Sequence, residues 1–121
     1  SMVLNDVELA QVSALNQEFL QTDIAGAEEV PIYACNPATT AETANLLAKA
    51  GYKVYCPYFT GRIRKNRRSK AKIDAPILYF SGYVFVIGKS PKDQFPDRVS
   101  RLRFGEMFGS ISVEELIAFG T

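Results

Sequence analysis

The sequence predicts an α+β fold: a ferredoxin-like antiparallel sheet with helices mainly on one face and an extra amphipathic helix at the N-terminus. Three observations predict it. The segments read in order as a helix followed by β-α-β-β-β-α-β-α. The strand candidates, "GYVFVI" at 82–87 above all, are rich in the aromatic and β-branched residues that suit a pleated surface. A chain of 121 residues, 47% hydrophobic and 22% charged, is also long enough to bury one core without metal or disulfide staples.

Each element has its own signal. Asn5 or Asp6 caps a helix in which Leu9, Val12, Leu15 and Phe19 recur at helical spacing. "TDIAGAEEVP" is a linker, with Gly26 ending order and Pro31 starting an extended segment. Two regions follow from this, an acidic helix and linker over 1–30 and a main domain over 31–121. "IYACN" at 32–36 is a strand. "PATTAETANLLAKAG" starts a helix near Pro37 and Thr39 or Thr40, buries Leu46, Leu47 and Ala50, and ends at Gly51. "YKVYCPYF" at 52–59 is a strand leading into a basic hairpin tip, and residues 73–80 return towards "GYVFVI". Pro96 or Asp97 starts a short helix, and "FGEMFGSI" forms a last irregular strand. Ser112 and Glu115 have the spacing of a reciprocal helix cap, and Leu116, Ile117 and Phe119 dock that helix before Gly120 ends it.

Charge is distributed unevenly. Residues 1–30 hold six acids and no base, whereas the remainder holds fourteen bases and seven acids. Half of the bases, Arg62, Arg64, Lys65, Arg67, Arg68, Lys70 and Lys72, fall within eleven positions. That density suggests a polyanion as partner, beside the plainer reading of a solvated hairpin tip. Directly after it comes "APILYFSGYVFVIG", the longest uncharged stretch, which is too short and too interrupted to span a bilayer. No membrane association is expected, and the cytoplasm is the default location.

The chain has no histidine and two cysteines, Cys35 and Cys56, without C-x-x-C spacing. Too few soft ligands therefore remain for a zinc site, and a nucleophile–histidine pair and the commonest neutral-pH base are missing. The chain is expected to be no enzyme and to need no cofactor.

Two resemblances use the same residues. "SGYVFVIG" and "IYACN" resemble the octapeptide and hexapeptide of RNA-recognition motifs, which implies base stacking on Tyr33, Tyr83 and Phe85. Over residues 31–119 the chain resembles the N-terminal domain (NGN domain) of the NusG family of transcription elongation and antitermination factors. The match rests on the strand ending in Tyr33, Glu42 and Leu47 on "ETANLLAKAG", the approach "YKVYCP" to Pro57, the basic hairpin and "PILYFSGYVFV". Ile32 stands where the family pattern has tryptophan, and Ser81 where it has proline. The sequence stops where the family pattern continues into a KOW barrel; if it is the entire protein, the activities that the resemblance assigns to that barrel are not expected. The resemblance implies docking on the β′ clamp helices of RNA polymerase through an apolar cavity, with Phe80, Tyr83 and Phe85 as contacts. It further implies that Arg62 to Lys72 touch non-template or upstream DNA at the transcription bubble. The acidic helix is either a mask over that cavity or hairpin, or an ordinary amphipathic helix packed elsewhere.

Overall fold

The computed structural model describes residues 3–22 and 29–119, so the linker expectation around Gly26 and the stop at Gly120 lie outside the described residues. The chain is α+β, with an antiparallel sheet and three helices. Helix α1 (Asp6–Gln21) begins at Asn5, whose side chain accepts from the Glu8 amide at 2.8 Å while the Glu8 carboxylate accepts from the Asn5 amide at 3.0 Å. This reciprocal cap is worth about 1 kcal/mol. Val12, Leu15 and Phe19 are buried, as their spacing predicts.

Strand β1 (Glu29–Ala34) leads through a 3-10 turn (Pro37–Thr39) into α2 (Thr40–Lys49), which ends before Gly51 at φ +99°. β2 (Lys53–Tyr55) and β3 (Tyr58–Arg64) are separate strands, because Cys56-Pro57 turns the chain out of the sheet. β3 pairs only with β4 (Lys72–Leu78), forming a two-stranded hairpin, and β5 (Tyr83–Ile87) re-enters the sheet. Turns occupy residues 91–98 where a helix is expected near Pro96. The amides of Arg98 and Val99 both donate to the Phe95 carbonyl, and Val99 is already buried one residue before β6 (Ser100–Arg101), which leaves no length for a helix. The expected irregular strand is resolved into a hairpin, β7 (Arg103–Phe104) with β8 (Met107–Phe108), followed by β9 (Ser110–Ser112). Helix α3 (Val113–Ala118) is capped by the Ser112 hydroxyl, which accepts from the Glu115 amide at 3.2 Å.

The sheet order is β2-β5-β1-β6, with β9 pairing the first half of β1 and β6 its second half. Register fixes the two faces. Tyr33 opposes Val84 and Val54 opposes Val86, so these point to one side. That side forms one core with Val12 and Leu15 of α1 and Ala44 and Leu47 of α2. Ile32 and Tyr55 both oppose Phe85 on the other side, where Val113 and Leu116 of α3 cover them. Two helices thus line one face and the third lines the other.

Helix α1 is part of this core rather than an appendage. It runs along the edge strand β2, with Phe19 reaching round to Tyr55 at a ring separation of 5.0 Å. The Asn16 carboxamide donates to the Cys56 carbonyl at 2.9 Å and accepts from the Cys56 amide at 2.8 Å, acting as a neighbouring strand would. Backbone left open at the end of β2 is thereby satisfied.

Candidate functional site

The β3–β4 hairpin organises the residues that the sequence singles out. Its seven cross-strand pairs run from Tyr58 opposite Leu78 to Arg64 opposite Lys72. At about 3.3 Å per residue this carries the tip some 20 Å from the base. Alternation sorts the hairpin into two sides. Arg62, Arg64, Lys72 and Asp74 share one, and Ile63, Ile73, Ile77 and Phe59 share the other.

Arg64 and Lys72 are directly opposed, an arrangement of like charges that disfavours pairing. The Arg62–Asp74 ion pair is long, 3.8 Å, and exposed on both sides, so it offsets little of the surrounding charge. At the tip, the Asn66 side chain accepts from the amides of Arg68 and Ser69 at 2.9 and 2.8 Å, and the Ser69 hydroxyl accepts from the Ala71 amide at 3.0 Å. Local side-chain bonds of this kind shape a turn without tertiary support. Lys65, Arg67, Arg68 and Lys70 are exposed on it. The structure therefore gathers all seven predicted basic residues on one projecting element.

Phe80, Tyr83 and Phe85 lie at the base of that element, but they are not equivalent. The Tyr79 amide donates to the Pro57 carbonyl at 3.0 Å, closing the hairpin. Beyond it the chain turns through Gly82, whose φ of +93° and proximity to Pro37 leave little room for a side chain. Tyr83 is 38% exposed, Phe80 is half-buried and Phe85 is 3% exposed. Where the sequence reading places an apolar cavity, rings of this chain are in contact with one another. Phe80 meets Phe85 at 5.7 Å and Phe119 at 5.1 Å, while Tyr79 meets Phe119 at 5.2 Å and Phe59 at 4.7 Å. Phe85 is the buried member of this group and Phe59 and Tyr79 are its exposed edges, while Tyr83 is exposed on the same sheet face as Phe85. The hollows of about 390 Å³ between α1 and α2 and of about 240 Å³ beneath α1 are lined by other residues.

Phe59 and Phe119 belong to this cluster unexpectedly. Phe59 sits in a strand pattern with nothing to say which side faces the sheet, and Phe119 arrives only because Ser112 sets the direction of α3. Phe119 at the end of α3 meets Phe80 and Tyr79, whereas α1 packs mainly on α2 and β2, contributes Phe19 to the core beside Tyr55 and touches the hairpin base through the Ser13 and Tyr58 hydroxyls at 2.8 Å. It covers neither the exposed rings nor the charged tip, so this arrangement does not provide the masking role. The alternative stacking platform is also dispersed, since Tyr33 is buried on the sheet face opposite to Tyr83 and Phe85.

The chemistry available elsewhere is limited. Both cysteines are free, and among the described residues no group of three or more His, Cys, Asp or Glu side chains could hold a metal ion. Burial pushes the Cys56 thiol up to about 12, with Cys35 adding to the shift, and burial likewise raises Cys35 against the opposing effect of its hydrogen bond with Thr40. Neither is an activated nucleophile. Among the described residues no helix is long and apolar enough to cross a membrane. Compared with family models, curated proteins and solved structures, the chain matches none of them.

Proposed function

We propose that the chain is a NusG-like transcription elongation or antitermination factor, a non-enzymatic domain of the ferredoxin-like NGN type. It docks on the β′ clamp helices of RNA polymerase and lays its basic hairpin on non-template or upstream DNA. One observation carries the reading: a partly exposed aromatic group and a dense cationic tip occupy the two ends of a single hairpin. Such a rod touches a protein at its base and a polyanion at its tip simultaneously. Tyr83 and Tyr79 supply the aromatic contacts that dominate interface energetics, Phe80 backs Tyr79 and rests in turn on Phe85, and Arg62 to Lys72 supply charge with reach. The unfavourable Arg64–Lys72 juxtaposition supports the same reading, because stability alone does not favour it.

Tyr83→Ala is the informative change, as its exposed ring can be removed without opening the core. Co-elution with core RNA polymerase is expected for the wild type and for a variant with Arg67, Arg68 and Lys70 changed to Gln, and is expected to be lost for Tyr83→Ala. A folded Tyr83→Ala protein that co-elutes normally overturns the docking assignment.

A further inference from the structure

The β7–β8 finger is unused by that function and carries the most exposed cluster of large apolar side chains among the described residues. Within six residues, Phe104 is 70%, Met107 74% and Phe108 57% exposed. It is rooted on β1: the Leu102 amide donates to the Ile32 carbonyl at 3.0 Å, the Ile32 amide to the Gly109 carbonyl at 3.1 Å, and the Gly109 amide to the Leu102 carbonyl at 2.8 Å. The Arg101 guanidinium fixes the root by donating to the carbonyls of Ile32 and Gly109. A rigidly held tip that leaves three large apolar side chains in water needs an occupant.

Its cations indicate which kind. Arg101 lies over the Phe108 ring at 5.3 Å and Arg103 at 5.1 Å, and Arg103 is itself exposed. Register places Phe104 beside Met107 on the opposite side of the finger. The finger therefore offers one open ring on one side and a ring–guanidinium pair on the other. Rings and guanidinium groups are the surfaces on which unpaired bases stack, and the guanidinium N–H groups meet the phosphates between those bases. A duplex keeps its base faces hidden, so it lacks the matching chemistry. Stacking makes no demand on the sugar; from Leu102 to Gly109 the side chains able to meet a ribose 2′-hydroxyl are Arg103 and Glu106, and oligouridylate is the control for that contact.

We infer that the β7–β8 finger is a binding site for single-stranded DNA, with Phe104 and the Arg103–Phe108 pair as stacking surfaces for bases. This site is separate from the β3–β4 hairpin, whose contact is with phosphates.

The chain has no tryptophan, so Phe104→Trp places a single fluorescent reporter on the finger. The expected result with a twelve-residue oligothymidylate at 100 mM salt is quenching of this tryptophan, an affinity at least equal to wild type, and an affinity about tenfold lower for Phe104→Ala, the usual effect of losing one stacked base. A twelve-base-pair duplex is expected to leave the tryptophan unquenched, and oligouridylate of the same length to bind no better than oligothymidylate. Circular dichroism checks that both variants are folded. The inference is overturned by wild-type affinity in Phe104→Ala, by equal quenching with duplex, or by markedly tighter binding of the RNA. A concentration-dependent blue shift of the tryptophan without DNA also overturns it, in favour of a contact between copies of the chain. Polymerase takes no part in this assay, so its outcome is independent of the docking proposal.

Discussion

Asn16→Ala tests how the acidic helix is attached to the sheet. The substitution removes two hydrogen bonds, of 2.9 and 2.8 Å, and leaves the amide and carbonyl of the buried residue Cys56 without a partner. Each group costs about 1–3 kcal/mol when left unsatisfied, or roughly 2–6 kcal/mol for both. A hollow of about 240 Å³ lined by Asn16 and by Tyr55 and Pro57 on either side of Cys56 adjoins the site, and removing the Asn16 side chain opens it towards Cys56, so entering water offsets part of the loss. The expected loss is accordingly at the lower end, about 2–3 kcal/mol, a large fraction of the roughly 5–15 kcal/mol by which domains are stable. Urea unfolding followed by circular dichroism reads this directly, and the melting temperature should fall by about 10 °C. Asn16→Asp separates the hydrogen bonds from packing. It keeps an acceptor for the Cys56 amide but sets a carboxylate against the Cys56 carbonyl, which disfavours the charged form and raises its folded-state pKa. Stability of that variant should therefore increase as pH falls from 7 towards 4, relative to wild type. An Asn16→Ala protein within about 0.5 kcal/mol of wild type, against the 2–3 kcal/mol worked out above, would refute the view that this side chain stands in for a strand.

The remaining predictions follow from single features. Lys72→Glu replaces the like-charge opposition with Arg64 by an attractive pair, so stability should rise by about 0.2–1 kcal/mol while affinity for DNA falls; the two measurements moving together would contradict the assignment of charge to function. Gly82→Ala should destabilise more than Gly105→Ala. Both glycines have positive φ, but a Cβ at Gly82 meets Pro37 at 3.1 Å whereas one at Gly105 meets nothing, and paired urea titrations report the difference. In the folded protein at pH 8, an aromatic disulfide reagent should modify Cys35 slowly and Cys56 only on unfolding. Because the Cys56 thiol rises from 9.0 to about 12 on folding, the native state binds more protons than the unfolded state above pH 9. Stability should be unaffected by this group below pH 9 and decline from there towards pH 12.

Periodicity made the helices readable. Val12, Leu15 and Phe19, with Asn5 at the start, define α1 from sequence alone, and Ser112 defines the start of α3. The partner surface of α1 was less accessible, because the bond from Asn16 to Cys56 spans forty positions and neither residue type announces it. Proline and glycine decided the rest. Pro57 divides a run that alternates well enough to read as one strand, and Pro96 suggests a helix start where Val99 must already be buried for β6 to pair. The finger had a visible signal, Gly105-Glu106 between Phe104 and Met107, the Gly-first pair of a tight hairpin, but its short arms resemble one irregular strand. For the site, the seven basic residues and Phe80 and Tyr83 were legible as a charge run beside an aromatic run. The filling of the expected cavity by Phe59, Tyr79 and Phe119 was not, since those rings come together only through hairpin closure and the docking of α3.

The central claim, protein contact at the hairpin base and DNA contact at its tip, is tested most directly by photocrosslinking in an assembled transcription elongation complex. A photoreactive phenylalanine analogue replaces Tyr83 in one protein and Arg67 in another. The account predicts that position 83 crosslinks to the β′ clamp helices and position 67 to non-template or upstream DNA. Crosslinking of position 83 to nucleic acid, or of neither position to any component of the complex, contradicts it.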